Sequence, residues 1–190
     1  MIHVSDRRSE AVPTERGRTG TVIMLGSNIL PEIHLPAAVR ELKGLGIVLA
    51  VSSVWQTAPV GFLDQADFCN AAVLLDTELE PVELLARLRE LENRLGRVRD
   101  PLNKNAPRTI DLDLAIVPGP PRIVAGRILP DPELSQRLFL AVPLEEVLSD
   151  FELPSGRPIG EVAAELRDRD AERLRLRPRK DIALDTFRRN

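Results

Sequence analysis

Two aspartates, Asp111 and Asp113, stand two apart in the run Ile110-Asp111-Leu112-Asp113-Leu114, a spacing that can do metal chemistry. In an extended strand the period of two puts both carboxylates on one face and the leucines on the other, with the aspartate Cα atoms about 6.7 Å apart. Carboxylates converging from that distance can share one or two hard cations, and magnesium prefers carboxylate together with phosphate oxygens. Arg108 precedes the pair by three residues, and Arg97, Arg99 and Lys104 crowd the loop before it. Metal on one side and guanidinium on the other is what a magnesium-bound triphosphate requires, so the segment reads as a phosphoryl- or pyrophosphoryl-transfer site. Two plainer readings fit the same spacing: acids facing solvent on an open sheet, or a structural network of ion pairs. Spacing alone does not decide among the three.

Elements must hold these residues in place, and the hydrophobic pattern predicts them. Thr21 to Leu25 reads as a short strand ending in Gly26-Ser27-Asn28. A helix over roughly 34–45 follows from the spacing of Leu35, Ala38, Val39, Leu42 and Leu45, with Pro36 in its first turn and Gly44 and Gly46 as its stop. Ile47 to Val54 is β-branched and apolar, hence a strand, and a Pro/Gly loop over 57–62 leads to another strand near 67–77. Cys69, Ala71, Val73 and Leu75 share one face of that strand; Phe68, Asn70, Ala72 and Leu74 share the other.

Pro81 opens a second helix whose stripe is Leu84, Leu85, Leu88, Leu91 and Leu95, with Gly96 as its cap. Glu92 falls about 40° from Leu88, inside that stripe. A carboxylate there needs a partner, because an unpaired buried charge is costly, and Arg97 and Arg99 are the nearby candidates. The basic loop 97–109 feeds the Ile110 to Val117 strand, Pro118 to Pro121 turns, and Arg122 to Val124 makes a short return strand. Helices follow near 139–149 and 159–168. The arginine-rich end, 171–190, is either a frayed tail or an added edge strand. The order βαββαβ predicts an α+β, ferredoxin-like sandwich, with helices on one face of an antiparallel sheet and the other face free for ligands.

Bulk properties exclude several classes. The 190 residues suit one domain, expected over 20–169, with a disordered lead-in over 1–19 and a basic extension over 170–190. Hydrophobic residues are 43% and charged residues 29%, the balance of a globular protein. A net charge of −3 gives no reason to expect nucleic-acid or membrane partners, so an anionic ligand needs a local basic cluster. Cys69 is the single cysteine, which excludes an internal disulfide and fits a cytoplasmic location.

Gly26-Ser27-Asn28, V-S-S-V-W-Q-T-A-P-V-G, D-F-C-N-A-A-V, L-E-N-R-L-G-R-V-R and A-P-R-T-I-D-L-D-L occur in this order over roughly residues 21–150. In that combination the chain resembles 6-hydroxymethyl-7,8-dihydropterin pyrophosphokinases, enzymes of folate biosynthesis. The resemblance implies transfer of the β,γ-pyrophosphoryl group of ATP to the pterin hydroxymethyl oxygen, releasing AMP. It implies that Asp111 and Asp113 hold two magnesium ions, while Arg97, Arg108 and Arg99 neutralise phosphate, with Glu92 fixing Arg97. Leu85 and Leu114 correspond to apolar contacts with adenine, and Lys104 and Arg137 to further cations on ATP. Asn70 would read the mixed donor and acceptor edge of the pterin, and Phe68 and Phe139 would stack on its ring. Thr57, Pro59 and Val60 would contact it largely through backbone. Partners are then these small molecules, with room for other folate-pathway enzymes.

Three departures from the family pattern stand out. Lys104-Asn105-Ala106-Pro107-Arg108 replaces a run in which many members carry tryptophan, Pro130-Asp131-Pro132 replaces one with histidine, and Phe68 stands at a tyrosine position. An acid at 131 would repel phosphate unless a cation intervened, so altered closure over ATP is expected. A paralogue acting on a related pterin, and a non-catalytic pterin- or nucleotide-binding module, are the alternative readings.

Overall fold

Period-two alternation carries apolar residues onto both faces of the central strands, and that pattern sets the layering. A computed structural model describes residues 20–99, 103 and 106–184. In chain order the elements are β1 (Thr21–Ser27), α1 (Pro31–Leu42), β2 (Ile47–Val51), β3 (Trp55–Thr57), β4 (Phe68–Asp76) and α2 (Pro81–Arg94). There follow β5 (Asp111–Ile116), β6 (Arg122–Val124), β7 (Arg127–Leu129), a 3-10 turn (Pro132–Ser135), α3 (Leu138–Val147), α4 (Ile159–Asp170) and β8 (Arg177–Pro178).

The main sheet runs β5-β1-β4-β3-β8, with β2 also paired to β4, and its pairings are antiparallel. This is the α+β ferredoxin-like order, with the strand after α1 split into β2 and β3. The break falls at residues 52–54, where the Ser52 hydroxyl takes up the Ala72 N–H (2.8 Å). A single strand to Val54 is the expectation; it ends early where the Ser52 hydroxyl competes for a ladder donor.

The faces differ from expectation too. One core cluster packs α1 and α2 against Ile23, Leu25, Ala71, Val73, Leu112 and Leu114. A second packs α3 and α4 against Val22, Met24, Ala72, Leu74 and Ile116. The second face is therefore covered rather than left open, because its central residues are as apolar as those of the first. Ligand space lies instead along the outer edge of β5.

Helix α1 begins at Pro31, which takes the first turn, so Pro36 lies inside the helix rather than opening it. Pro36 forfeits one intrahelical bond, and burial of Leu35, Ala38, Val39 and Leu42 offsets that loss. Of the two readings of the chain end, an added strand is observed: β8 extends the sheet beyond β3. Among the described residues no helix is long and apolar enough to cross a membrane.

Candidate active site

The C-terminal end of α2 builds one wall. Gly96 adopts φ +78, and the Arg97 N–H returns to the Glu92 carbonyl (3.0 Å). The left-handed cap reverses the chain and folds the Arg97 side chain back beside Glu92. The Glu92 carboxylate, 2% exposed, accepts from Leu112 N (2.8 Å), from Arg99 (2.5 Å) and from Arg97. Leu112 lies on β5, so the acid inside the apolar stripe of α2 satisfies a donor on the open edge of the sheet. Both predicted partners, Arg97 and Arg99, are on it.

Arg97 also reaches Asp111, bridging the two acids, and Arg108 holds the other Asp111 oxygen (2.5 Å). Burial pushes the Asp111 carboxyl up, but Arg97 and then Arg108 outweigh it and hold the group below the usual carboxylate range. Because the folded value is depressed, this stabilisation is complete above the ordinary carboxylate pKa of about 4. It is lost as pH falls through the folded value. Asp111→Asn is expected to cost about 2 kcal/mol at neutral pH, with the difference from the parent narrowing as pH drops below about 4. Denaturant titrations across that range measure it; a pH-independent loss would show that charge is not what the arginines recognise.

Asp113, on the same face of β5, pairs with Arg127 of β7 (2.7 Å). Arg127 was not among the residues singled out from sequence. The β6–β7 hairpin folds it back over the strand that precedes it, and no local motif marks it. Together these groups line a cleft of about 550 Å³, to which Arg89, Arg99 and Leu85 also contribute. Leu112 is on its wall, whereas Leu114 is fully buried in the core. Lys104 and Asn105 lie outside the described residues.

The donor set suits magnesium. Among the described residues no group of three or more His, Cys, Asp or Glu side chains is arranged to hold a metal. The two carboxylates that β5 presents on one face, Asp111 and Asp113, fit an ion that keeps water and takes phosphate oxygens alongside one or two carboxylates. Asp131 behaves differently from an acid aimed at phosphate. It caps the 3-10 turn, accepting from Glu133 N (2.8 Å). Burial, followed by the charges of Glu133 and Asp113, pushes its carboxyl up against the opposing Glu133 N–H.

The register sets Asn70, Gly26 and Asp111 abreast on three adjacent strands. A Cβ on Gly26 would stand 3.3 Å from Asn70 Oδ1 and 3.7 Å from the Asp111 Cβ, so glycine keeps the floor between them clear. Asn70 is buried and donates to Thr57 Oγ1 (3.4 Å). Phe68 lies under the Arg108 guanidinium, 5.7 Å from ring centre to Cζ, a cation–π contact between the aromatic and cationic parts of the site. Asn28, named from sequence only within the Gly26-Ser27-Asn28 motif and given no role in the site, joins the same two parts: it accepts from Arg108 N (2.8 Å) and donates to Gln65 (2.9 Å) in the loop after Thr57. Val60, Phe139 and Arg137 sit elsewhere, on a second pocket of about 280 Å³ beside Arg169 and Arg173. The structure thus groups Arg137 with the aromatic Phe139 and not with the Asp111 cleft, and Pro59 is buried between the two regions in sequence.

Such a layout on a ferredoxin-like sandwich suits phosphoryl-group transfer. The family model described as 7,8-dihydro-6-hydroxymethylpterin-pyrophosphokinase matches residues 22–149, and the chain belongs to that family of pyrophosphokinases. It is 37% identical over 150 residues to the 2-amino-4-hydroxy-6-hydroxymethyldihydropteridine pyrophosphokinase of Haemophilus influenzae, covering 77% of this chain and 92% of that one. With the Bacillus subtilis protein of the same name it shares 41% over 133 residues, 68% of this chain and 78% of the other. The Lactococcus lactis "Bifunctional protein FolKE" is 36% identical over 156 residues, 80% of this chain and 44% of that protein. Among solved structures, wild-type Plasmodium falciparum HPPK-DHPS with pteroate superposes with a TM-score of 0.60 at 13% identity, covering 80% of this chain. That likeness is one of fold, and this chain spans 43% of the longer one.

Proposed function

We propose that this enzyme transfers the pyrophosphoryl group of ATP to the hydroxymethyl oxygen of 6-hydroxymethyl-7,8-dihydropterin, releasing AMP, as a step of folate biosynthesis. The observation that carries this reading is the pair of carboxylates on β5, Asp111 and Asp113, opening on a cleft whose cations among the described residues are Arg89, Arg97, Arg99, Arg108 and Arg127. A triphosphate carries the charge that such a cluster complements.

Asp111 and Asp113 would hold two magnesium ions. Bound there, magnesium supplies charge neutralisation and alignment of the phosphate oxygens. Arg97 and Arg108 face the same oxygens and stabilise charge that builds up at the leaving group, with Arg99 and Arg127 beside them. Glu92 holds Arg97 at the cleft wall independently of Asp111, whose two oxygens are shared between Arg97 and Arg108 and would turn to magnesium when the nucleotide binds. Leu85 offers an apolar surface for the adenine. In-line attack by an alcohol on the β-phosphorus needs positioning and electrostatics and no protein nucleophile.

Asn70 and Thr57 would read the pterin edge and Phe68 would stack on one side of its ring. Val60 and Phe139, which line the second pocket here, would meet that ring only after the loop carrying Pro59 and Val60 closes over it. The open floor at Gly26 lets the hydroxymethyl arm extend from Asn70 toward Asp111. Asn70→Ala is expected to raise the pterin KM about tenfold or more, since it removes a buried bidentate partner, with a smaller change in kcat. Steady-state kinetics with pterin varied at saturating ATP measure this; an unchanged KM would remove Asn70 from the pterin site.

The test of the whole reading is AMP production from ATP, followed with and without dihydropterin and with and without magnesium. Production that needs all three supports it. No AMP from folded protein that binds the pterin would overturn it in favour of a binding module, and AMP formed faster with another pterin alcohol would assign a different substrate.

A further inference from the structure

The C-terminal segment beyond α4 lies past the residues that the family model matches, yet it is fastened to the loop that follows β3. Leu174 O accepts from Ala58 N (2.7 Å) at the start of that loop. Arg175 pairs with Asp67 Oδ1 (2.6 Å) at its end, and Gln56 holds the other oxygen of the same carboxylate (2.9 Å). Just beyond, β8 pairs with Trp55 and Gln56. Arg179 donates from its backbone to Val54 O (2.8 Å) and from its side chain to Gln56 Oε1 (3.1 Å). Ile182 anchors the far end by burial in the core. Both ends of the segment 58–67 are thereby gripped by one strap, and that segment carries Pro59 and Val60 and leads from Thr57 into Phe68.

Arg175 shows that the grip is specific. It adopts φ 51 although it is not glycine, a conformation that side chains with a Cβ rarely take and that needs support from surrounding contacts. The left-handed turn separates Leu174, whose carbonyl meets Ala58, from the guanidinium directed at Asp67.

We propose that residues 174–179 form a strap that positions the pterin-binding loop, with Arg175 as a positioning residue that sets affinity for the pterin without touching ATP. This inference rests on the pterin reading of Thr57, Pro59, Val60 and Phe68 given above. The guanidinium is 65% exposed and its carboxylate partner 19% exposed, so the pair is partly screened and its effect is modest.

The experiment compares Arg175→Asn and Arg175→Lys with the parent enzyme in the full chain. Asparagine tolerates the left-handed conformation but does not reach Asp67; lysine restores the charge. Arg175→Asn is expected to raise the pterin KM about two- to fivefold, leaving kcat and the ATP KM unchanged. Lysine is expected to recover most of the loss, and the ratio to the parent is expected to shrink at 1 M salt, where the Debye length is about 3 Å. A pterin KM equal to the parent's, a parallel rise in both KM values, or a fall in kcat alone would each overturn the strap. Failure of the parent enzyme itself to form AMP would count instead against the functional reading on which the strap depends.

Discussion

Asp113→Ala is expected to lower kcat by about a thousandfold or more while leaving the fold and most of the pterin affinity in place. The side chain is 42% exposed and packs into neither core cluster, and it pairs with Arg127, itself 43% exposed. Its removal therefore leaves no buried group unsatisfied, and the melting temperature should stay close to that of the parent. What disappears is one of the two carboxylates that would hold magnesium against the phosphates, an interaction that counts most when charge moves in the transition state. Steady-state AMP formation at saturating magnesium and ATP gives kcat, and calorimetric titration gives pterin affinity. A loss below about tenfold would mean that Asp113 serves only to hold Arg127.

Glu92→Ala is expected to be the most destabilising single change in the site, at about 3–5 kcal/mol. Three donors converge on this carboxylate: the Leu112 N–H, Arg97 and Arg99. The Arg97 side chain is 8% exposed, and losing Glu92 leaves it with Asp111 alone to balance a buried cation. Burial pushes the Glu92 carboxyl up, opposed first by the Leu112 N–H and then by Arg97. The bridge is thus costly to assemble but more costly to break on one side. For a domain of this size the loss corresponds to a fall in melting temperature of about 10 °C or more. Glu92→Gln keeps an acceptor for Leu112 but not the charge, and an intermediate loss is expected. If both variants melted within about 2 °C of the parent, the acid would be dispensable to the fold.

These two acids also show how far a sequence can be read. Glu92 announced itself because a charge inside a leucine stripe violates the helical pattern, and such a violation demands a nearby cation. Asp111 and Asp113 were legible as a pair for an equally local reason: alternation fixes which side chains share a face. The matched motifs then linked the pair to Asn70 and Phe68 on β4, which lies on the far side of β1 from β5. Arg127 had no comparable signal. Its place opposite Asp113 depends on the turn between β6 and β7 and on how that hairpin lies along β5. Leu114, assigned to adenine by the resemblance alone, is fully buried in the core, and Leu112 is the leucine on the cleft wall.

Local chemistry in the sequence determined the strands and helices, the dicarboxylate face, the need for a partner at Glu92 and the family to which the chain belongs. All of these follow from spacings of a few residues or from motifs in a fixed order. Tertiary structure decided which cation meets which acid, that both faces of the sheet are covered, and that the chain end returns to grip the loop after Thr57. Those outcomes depend on contacts between residues as far apart as Asp67 and Arg175, which chain crossovers bring together and short-range periodicity does not encode. The ion pairs at Asp111 and Asp113 belong to both accounts: the sequence placed the acids, and the fold chose the arginines.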